Sequence, residues 1–194
     1  MITIISGLPR CGTSLMMQML AAGGMPVLTD GERRADDDNP RGYYEWEPIK
    51  QLPKQPALID QAEGHAVKCI SQLLVALPAN RSYRIIFMER PLREVLASQS
   101  EMLRRRGTTG PAMDDSALLK AFEAHLKQVE LWLKSKPEAS VLRLNYHEVL
   151  RDPLRTSQLL EEFLAMPLDT KAMAAEVVPT LYRQREAENT PPAH

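Results

Sequence analysis

Residues 7–14, Gly-Leu-Pro-Arg-Cys-Gly-Thr-Ser, combine two glycines, one cation and two hydroxyl groups in a short segment. They follow an apolar run and precede a helical pattern. In a turn from strand to helix, backbone N–H groups and the helix N-terminus converge on one point and bind phosphate there. Gly7 and Gly12 allow the backbone to approach such a group closely. The segment therefore predicts a phosphate-binding loop that holds a phosphorylated nucleotide.

The residue after the second glycine separates two kinds of chemistry. In nucleoside triphosphatases it is a lysine that reaches the β and γ phosphates, whereas here it is Thr13. No carboxylate is predicted at a strand end to help hold magnesium, so phosphoryl transfer from ATP is disfavoured. Arg10 is the cation of the loop, and its guanidinium can hold a phosphate or sulfate through two hydrogen bonds. We interpret Cys11 as a small residue that fits the loop.

Three segments, in the same order along the chain, resemble the P-loop sulfotransferases that use 3′-phosphoadenosine 5′-phosphosulfate (PAPS). Residues 9–14 resemble that family's 5′-phosphosulfate loop, whose usual form is Pro-Arg/Lys-Ser-Gly-Thr-Ser/Thr. Residues 84–98 resemble its 3′-phosphate motif, in which a strand ends in arginine and a helix places a serine eight residues later. Residues 142–153 resemble its strand followed by Tyr-Glu-Asp-Leu and a downstream Asp-Pro. Because the three segments are spread along the sequence, the resemblance covers most of the chain.

The resemblance implies a binding site for each end of the donor. PAPS carries a 3′-phosphate that ATP lacks, so a protein that recognises it needs a second anion site away from the loop. The resemblance assigns Arg90 and Ser98 to this 3′-phosphate, for which they offer a cation and a hydroxyl. It assigns Arg10 and Lys68 to the charge of the phosphosulfate. The 5′-phosphate then falls to the loop residues Cys11, Gly12, Thr13 and Ser14.

The base that takes the acceptor's proton is where this chain departs from the family. In the cytosolic branch a strand carries a catalytic histidine where this chain has Ile70. Bacterial and Golgi-type relatives use a carboxylate, and residues 39–45, Asn-Pro-Arg-Gly-Tyr-Tyr-Glu, resemble a segment common in the bacterial ones. A base must lie within hydrogen-bond reach of the proton it takes. Glu45 is therefore the first candidate for the base, and Glu32 and His65 are the alternatives.

The resemblance implies an enzyme that transfers a sulfuryl group from PAPS to a hydroxyl or amine of a small-molecule or glycan acceptor, leaving 3′-phosphoadenosine 5′-phosphate (PAP). Positioning and electrostatic stabilisation do most of such work, and no metal is needed. Two other functions stay open. The missing histidine and the short chain favour a P-loop protein that binds a nucleotide or PAP without turnover, and a small-molecule kinase is disfavoured by Thr13. The sequence does not identify the acceptor or the oligomeric state.

The elements that must position these residues alternate between short strands and longer helices, which predicts an α/β three-layer sandwich around a mostly parallel sheet. Strands are predicted at residues 2–6, 66–70, 84–88 and 140–144. A helix over residues 13–22 is ended by Gly23-Gly24. Another over residues 115–134 carries apolar residues every three or four positions. A last helix is predicted after Asp152-Pro153, because proline is tolerated in a first turn.

The whole chain, residues 1–194, is predicted to form one domain whose tail is frayed from about residue 185. Two polar segments, residues 29–48 and 101–114, are predicted to be loops at the carboxyl edge of the sheet. The second holds Arg104-Arg105-Arg106, which we interpret as a solvated face.

Composition limits the remaining classes of function. The chain is 25% charged but has a formal net charge of -1, which argues against general attraction to nucleic acid or to an anionic membrane. No apolar run approaches the ~18 residues of a membrane helix, and the apolar start has no basic region before it. Two cysteines are too few for a disulfide scaffold. We therefore expect a soluble cytoplasmic protein without a structural metal.

Overall fold

Five parallel strands form the centre of the protein. The computed structural model describes residues 1–33, 35, 36, 39–105, 107 and 114–178. The strands are β1 (Ile2–Gly7), β2 (Val27–Leu28), β3 (Ala66–Lys68), β4 (Tyr83–Glu89) and β5 (Ala139–Asn145). Their order in the sheet is β2-β3-β1-β4-β5, and each of these pairings is parallel. The predicted α/β architecture with a parallel central sheet is confirmed.

The strand order determines where a ligand site can form. β1 has β3 on one side and β4 on the other, and Ile5 of β1 is aligned with both Lys68 and Ile86. In open parallel sheets, the crevice beyond the carboxyl ends of two such diverging strands is the usual binding site. The loop after β1 therefore lies between the segments that follow β3 and β4.

Helices cover both faces of this sheet. The α-helices are α1 (Thr13–Ala22), α2 (Leu92–Arg105), α3 (Asp115–Lys134), α4 (Tyr146–Arg151), α5 (Pro153–Leu164) and α6 (Thr170–Ala175). Short 3-10 helices span Glu47–Gln51, Pro56–Ala62 and Ser71–Ala76. α1 and α3 have the predicted bounds, and the helix predicted after Asp152 is confirmed as α5. The Asp152 carboxylate caps α5 by accepting a hydrogen bond from the N–H of Arg155.

The strands alternate their side chains between two buried apolar clusters. Ile5 and Ile86 pack with residues of α1, α5 and α6 on one face of the sheet. Ile4 and Ile85 pack on the other face with residues of α3 and of the 3-10 helix Ser71–Ala76. Burying one such side chain contributes roughly 1.5–3 kcal/mol, so the two clusters hold the sheet edge in place from both sides.

Two predicted boundaries are wrong. The segment 101–114 is not all loop, because α2 continues to Arg105. There Glu101 pairs with Arg104 and Arg105 at the i+3 and i+4 spacings that stabilise a helix. β3 ends at Lys68 instead of residue 70, because the chain turns there into the 3-10 helix Ser71–Ala76.

The carboxyl-terminal part of the fold also differs from the prediction. α5 is not the last helix, because α6 follows it and is capped by the Asp169 carboxylate. That cap accepts hydrogen bonds from the N–H groups of Lys171 and Ala172. The predicted frayed tail and Arg106 lie outside the described residues. Within the described residues, no helix has the length and apolar character needed to cross a membrane.

Candidate functional site

The loop after β1 folds tightly around its glycines. Gly7 and Gly12 have φ angles of 146° and 95°, which favour glycine, and Arg10 has a φ of 73°. A Cβ atom at Gly12 would lie 2.5 Å from the ring of Tyr146, so a side chain does not fit there. α1 starts directly after the loop, at Thr13. The loop therefore has the backbone and helix N-terminus of a phosphate-binding turn.

Arg10 and Arg90 meet on the side of the loop that faces β4. Arg10 Nε donates a hydrogen bond to Ser98 Oγ over 3.0 Å. Arg90 Nη1 donates to the backbone carbonyl of Arg10 over 3.0 Å, and its guanidinium lies 4.8 Å from the ring centroid of Tyr146. Two guanidinium groups and a hydroxyl are thus gathered in one place. We call Arg10, Arg90 and Ser98 the β4-side group.

Glu94 is a member of this region that sequence reasoning missed. Its buried carboxylate accepts a hydrogen bond from Arg90 Nε over 2.9 Å and lies 3.1 Å from His147 Nε2. A buried charge is stable only when it is paired, and here each of the two charges compensates the other. The i,i+4 spacing of Arg90, just before α2, and Glu94 in its first turn was the signal that could have revealed this pair.

Lys68 ends β3 on the other side of the loop, and its ammonium group is surrounded by oxygen atoms. It donates to Ser14 Oγ and to the Tyr43 carbonyl, each over 3.0 Å, and lies 3.4 Å from Glu45 Oε1. Burial lowers the pKa of Lys68, and the nearby Glu45 carboxylate opposes that shift by raising it. The lysine thus connects the phosphate loop to the segment before β3.

Glu45 lies between two cations. Its Oε1 atom accepts a hydrogen bond from Arg33 over 2.8 Å, in addition to the contact with Lys68. The Arg33 guanidinium stacks 3.4 Å from the ring centroid of Tyr43, whose hydroxyl donates to Asp36 over 2.7 Å. Arg33 was not assigned a role from the sequence, since only the fold brings it to Glu45. We call Arg33, Glu45 and Lys68 the β3-side group.

Both groups line one cavity of about 460 Å³ at the carboxyl edge of the sheet. This volume is in the range of small-ligand sites. Gln99 also lines the cavity, and its buried Oε1 atom has no hydrogen-bond partner among the described residues. This unsatisfied acceptor in the cavity wall is suited to accept a hydrogen bond from a donor group of a bound molecule. The predicted site residues that line it are Arg10, Gly12, Thr13, Ser14, Glu45, Lys68, Arg90 and Ser98.

Three other predicted residues are not part of the cavity lining. The Cys11 side chain is buried beneath the loop, and burial raises the pKa of its thiol to about 12. Glu32 is exposed and lies outside the lining. His65 precedes β3 and does not line the cavity. Ile70 does line the cavity, so the position of the family's histidine is apolar here.

Two of the comparisons with known proteins support the fold. A family model described as a sulfotransferase domain matches residues 2–190. A solved sulfotransferase domain from the curacin biosynthetic pathway is 16% identical in sequence, with a TM-score of 0.52, over 88% of this chain and 76% of that one. An unliganded sugar kinase from a Janibacter species is 14% identical over 92% of this chain and 96% of that one, but its TM-score of 0.40 is too low to indicate a shared fold. A comparison with curated protein sequences finds no match.

Proposed function

The chain belongs to the sulfotransferase domain family, and we propose that it transfers a sulfuryl group from PAPS to a hydroxyl or amine of an acceptor. One observation carries this proposal. A single cavity is lined by the glycine-containing loop after β1, by two guanidinium groups and a hydroxyl on its β4 side, and by a carboxylate beside a buried lysine on its β3 side. Phosphoryl transfer from ATP would need a lysine at position 13, where this chain has threonine. ATP also lacks a 3′-phosphate, so the β4-side group would have no phosphate to bind.

The donor's phosphates suit the loop and the β4-side group. The loop amides and the Ser14 hydroxyl would hold the 5′-phosphate, and Arg90 with Ser98 would hold the 3′-phosphate. The Arg10 guanidinium donates a hydrogen bond to Ser98. We therefore propose that Arg10 binds the 3′-phosphate in addition to the phosphosulfate, to which the sequence assigned it. Cys11 would take part in 5′-phosphate binding as a residue of the loop backbone, because its side chain is buried. PAPS, when bound, supplies the sulfuryl group that is transferred.

The β3-side group is suited to the chemical step. The acceptor oxygen forms its bond to sulfur while the bond from sulfur to the bridging oxygen of the phosphosulfate breaks. The acceptor's proton must then leave, and Glu45 is the carboxylate of the lining that adjoins Lys68. Lys68 donates hydrogen bonds from a buried position, which suits it to stabilise charge on the departing oxygen. Arg33 holds Glu45 in place.

Product formation tests the proposal directly. The protein is incubated with radiolabelled PAPS and a panel of alcohols, phenols, amines and sugars, and both PAP and the sulfated product are measured. We expect PAP to form together with a sulfated acceptor and to do so without added magnesium. Tight PAP binding without any transfer would instead support a non-catalytic nucleotide-binding protein, for which the apolar Ile70 in place of a histidine is the favouring observation. Magnesium-dependent transfer from ATP would support a kinase.

A further inference from the structure

The cavity has apolar walls on both faces of the sheet. Leu15 and Leu150 line it and pack against the buried cluster formed with α1, α5 and α6. Trp46, Ile49 and Leu73 line it and belong to, or pack against, the cluster on the α3 face. The cavity therefore has two apolar ends that are separated by the sheet edge.

The end on the α3 face is the one that adjoins the reactive groups. Trp46 directly follows Glu45 in the chain, and Ile70 lies two residues after Lys68. Both of these apolar residues line the same cavity as Glu45 and Lys68. Trp46, Ile49, Ile70 and Leu73, which we call the apolar wall, therefore offer an apolar surface to the carbon skeleton of a molecule whose hydroxyl is within reach of Glu45. The donor's phosphates, by contrast, suit the loop and the β4-side group.

The charges around the cavity argue against an acidic occupant of this end. The lining cations outside Arg10 and Arg90 are Arg33, Lys50, Lys68 and Arg105. Each has a carboxylate partner among the described residues. Lys50 lies 2.5 Å from Glu47, and Arg105 lies 2.8 Å from Glu101. Arg33 and Lys68 share the single negative charge of Glu45, and the positive charge left over there is the one that Lys68 would present to the phosphosulfate of the donor. A carboxylate or sulfate on an acceptor would have to compete with these partners or be buried against hydrocarbon, which is costly.

We infer that the acceptor is an uncharged hydroxyl compound with a compact apolar body, and not an acidic glycan or a free sugar. The inference rests on the proposed sulfotransferase function and narrows its acceptor. A polyol would lose hydration at its hydroxyl groups without gaining partners at the apolar wall. An apolar ring gains from burial there, in proportion to the area removed from water. The cavity volume of about 460 Å³ must serve donor and acceptor together, which requires a compact acceptor.

A matched set of three alcohols tests this on the unmodified protein. 2-Naphthalenemethanol and 6-(hydroxymethyl)-2-naphthoate carry the same reacting group and ring and differ by one carboxylate. Methyl glucoside presents a primary alcohol on a polar body. Binding of each to the PAP-loaded protein is measured by calorimetry, and sulfate transfer to each from labelled PAPS is measured separately. We expect the uncharged ring alcohol to be preferred at least about tenfold over both others in the two assays.

The two assays separate failure of this inference from failure of the proposed function. Preferential binding of the ring alcohol without sulfate transfer supports the apolar wall and contradicts the transferase. Transfer that is as fast to the naphthoate or the glucoside as to the ring alcohol preserves the transferase and overturns the inference. Absence of ring-alcohol binding to the PAP-loaded protein also overturns it.

A charge placed in the wall gives a second test with a matched control. Leu73→Lys puts a cation in the apolar wall, and Val75→Lys puts the same cation on the same 3-10 helix at a position that is 58% exposed and outside the cavity lining. Leu73→Lys should shift the ratio of naphthoate to ring-alcohol binding by about ten- to a hundredfold toward the naphthoate, as expected for a new charge-assisted hydrogen bond. Val75→Lys should leave the ratio unchanged. An equal shift in both variants, or none in Leu73→Lys while PAP binding persists, contradicts the inference.

Discussion

The two sides of the cavity are built in different ways. In the β4-side group, Arg10 and Arg90 lie in the turns that follow strands β1 and β4, and Ser98 lies on α2. The β3-side group joins the end of β3 to the irregular segment before it, through contacts between Arg33, Glu45 and Lys68. The first side includes a hydrogen bond from Arg90 to the backbone of the phosphate loop, and the second is held by ion pairs between side chains. We therefore expect changes on the β4 side to alter nucleotide binding, and changes on the β3 side to alter transfer.

The largest effect is expected from Glu45→Gln, which keeps the shape of the side chain and removes the proposed base. Sulfate transfer should fall roughly 10²- to 10⁴-fold, the usual contribution of a positioned general base. PAP binding should be no weaker, because a negative charge beside Lys68 is removed. Single-turnover rates and calorimetry measure the two quantities. Glu47→Gln, next to the site but outside the cavity lining, is the matched control, and full activity in Glu45→Gln would eliminate this base.

Arg90→Ala should damage both binding and stability on the β4 side. Loss of a charge-assisted hydrogen bond should weaken PAP binding about ten- to a hundredfold. Removal of one partner of a buried ion pair should also lower the free energy of unfolding by roughly 3–5 kcal/mol, since Glu94 is buried. The double variant Arg90→Ala/Glu94→Gln removes the second charge. In urea unfolding, the double variant should regain part of the lost free energy of unfolding, but its PAP affinity should stay low. Recovery of both quantities would mean that Arg90 supports the fold and does not bind PAP.

Ser98→Ala is a cleaner and smaller change on the same side. Arg90 also donates a hydrogen bond to the backbone of the phosphate loop, so its loss disturbs the 5′-phosphate site. The Ser98 hydroxyl instead accepts a hydrogen bond from the Arg10 side chain. We expect PAP to bind about two- to tenfold more weakly and AMP to bind as before. Equal weakening of both nucleotides, measured by calorimetry, would remove Ser98 from the 3′-phosphate site.

The smallest effect concerns the support of the β3 side. His125 Nε2 lies 2.9 Å from the hydroxyl of Ser71, which begins the 3-10 helix that carries Leu73. Burial lowers the pKa of His125 below its ordinary value of 6.5. Between the lowered pKa and 6.5 the unfolded chain binds more protons than the folded one, so stability rises with pH across that window and is fully gained above it. His125→Gln should flatten this rise in urea unfolding, and an unchanged slope would contradict the assignment.

The same difference between the two sides explains what the sequence could predict. The glycines around Arg10 and the spacing of Arg90 and Ser98 are local patterns, and the fold brings them together as the resemblance implied. Arg33 could not be assigned, because its position depends on tertiary contacts that bring both Arg33 and Lys68 to Glu45. His65 stays an alternative base from the sequence, which does not show which residues beside a short strand line the cavity. In the structure it lies outside that lining.

The central claim is that one cavity binds a nucleotide phosphorylated at both the 5′ and the 3′ positions. Titration calorimetry of PAP and AMP against the unmodified protein tests it most directly, because the two ligands differ by the 3′-phosphate alone. We predict that PAP binds about ten- to a hundredfold more tightly than AMP and raises the melting temperature further at matched concentration. Equal affinities for PAP and AMP would contradict the claim.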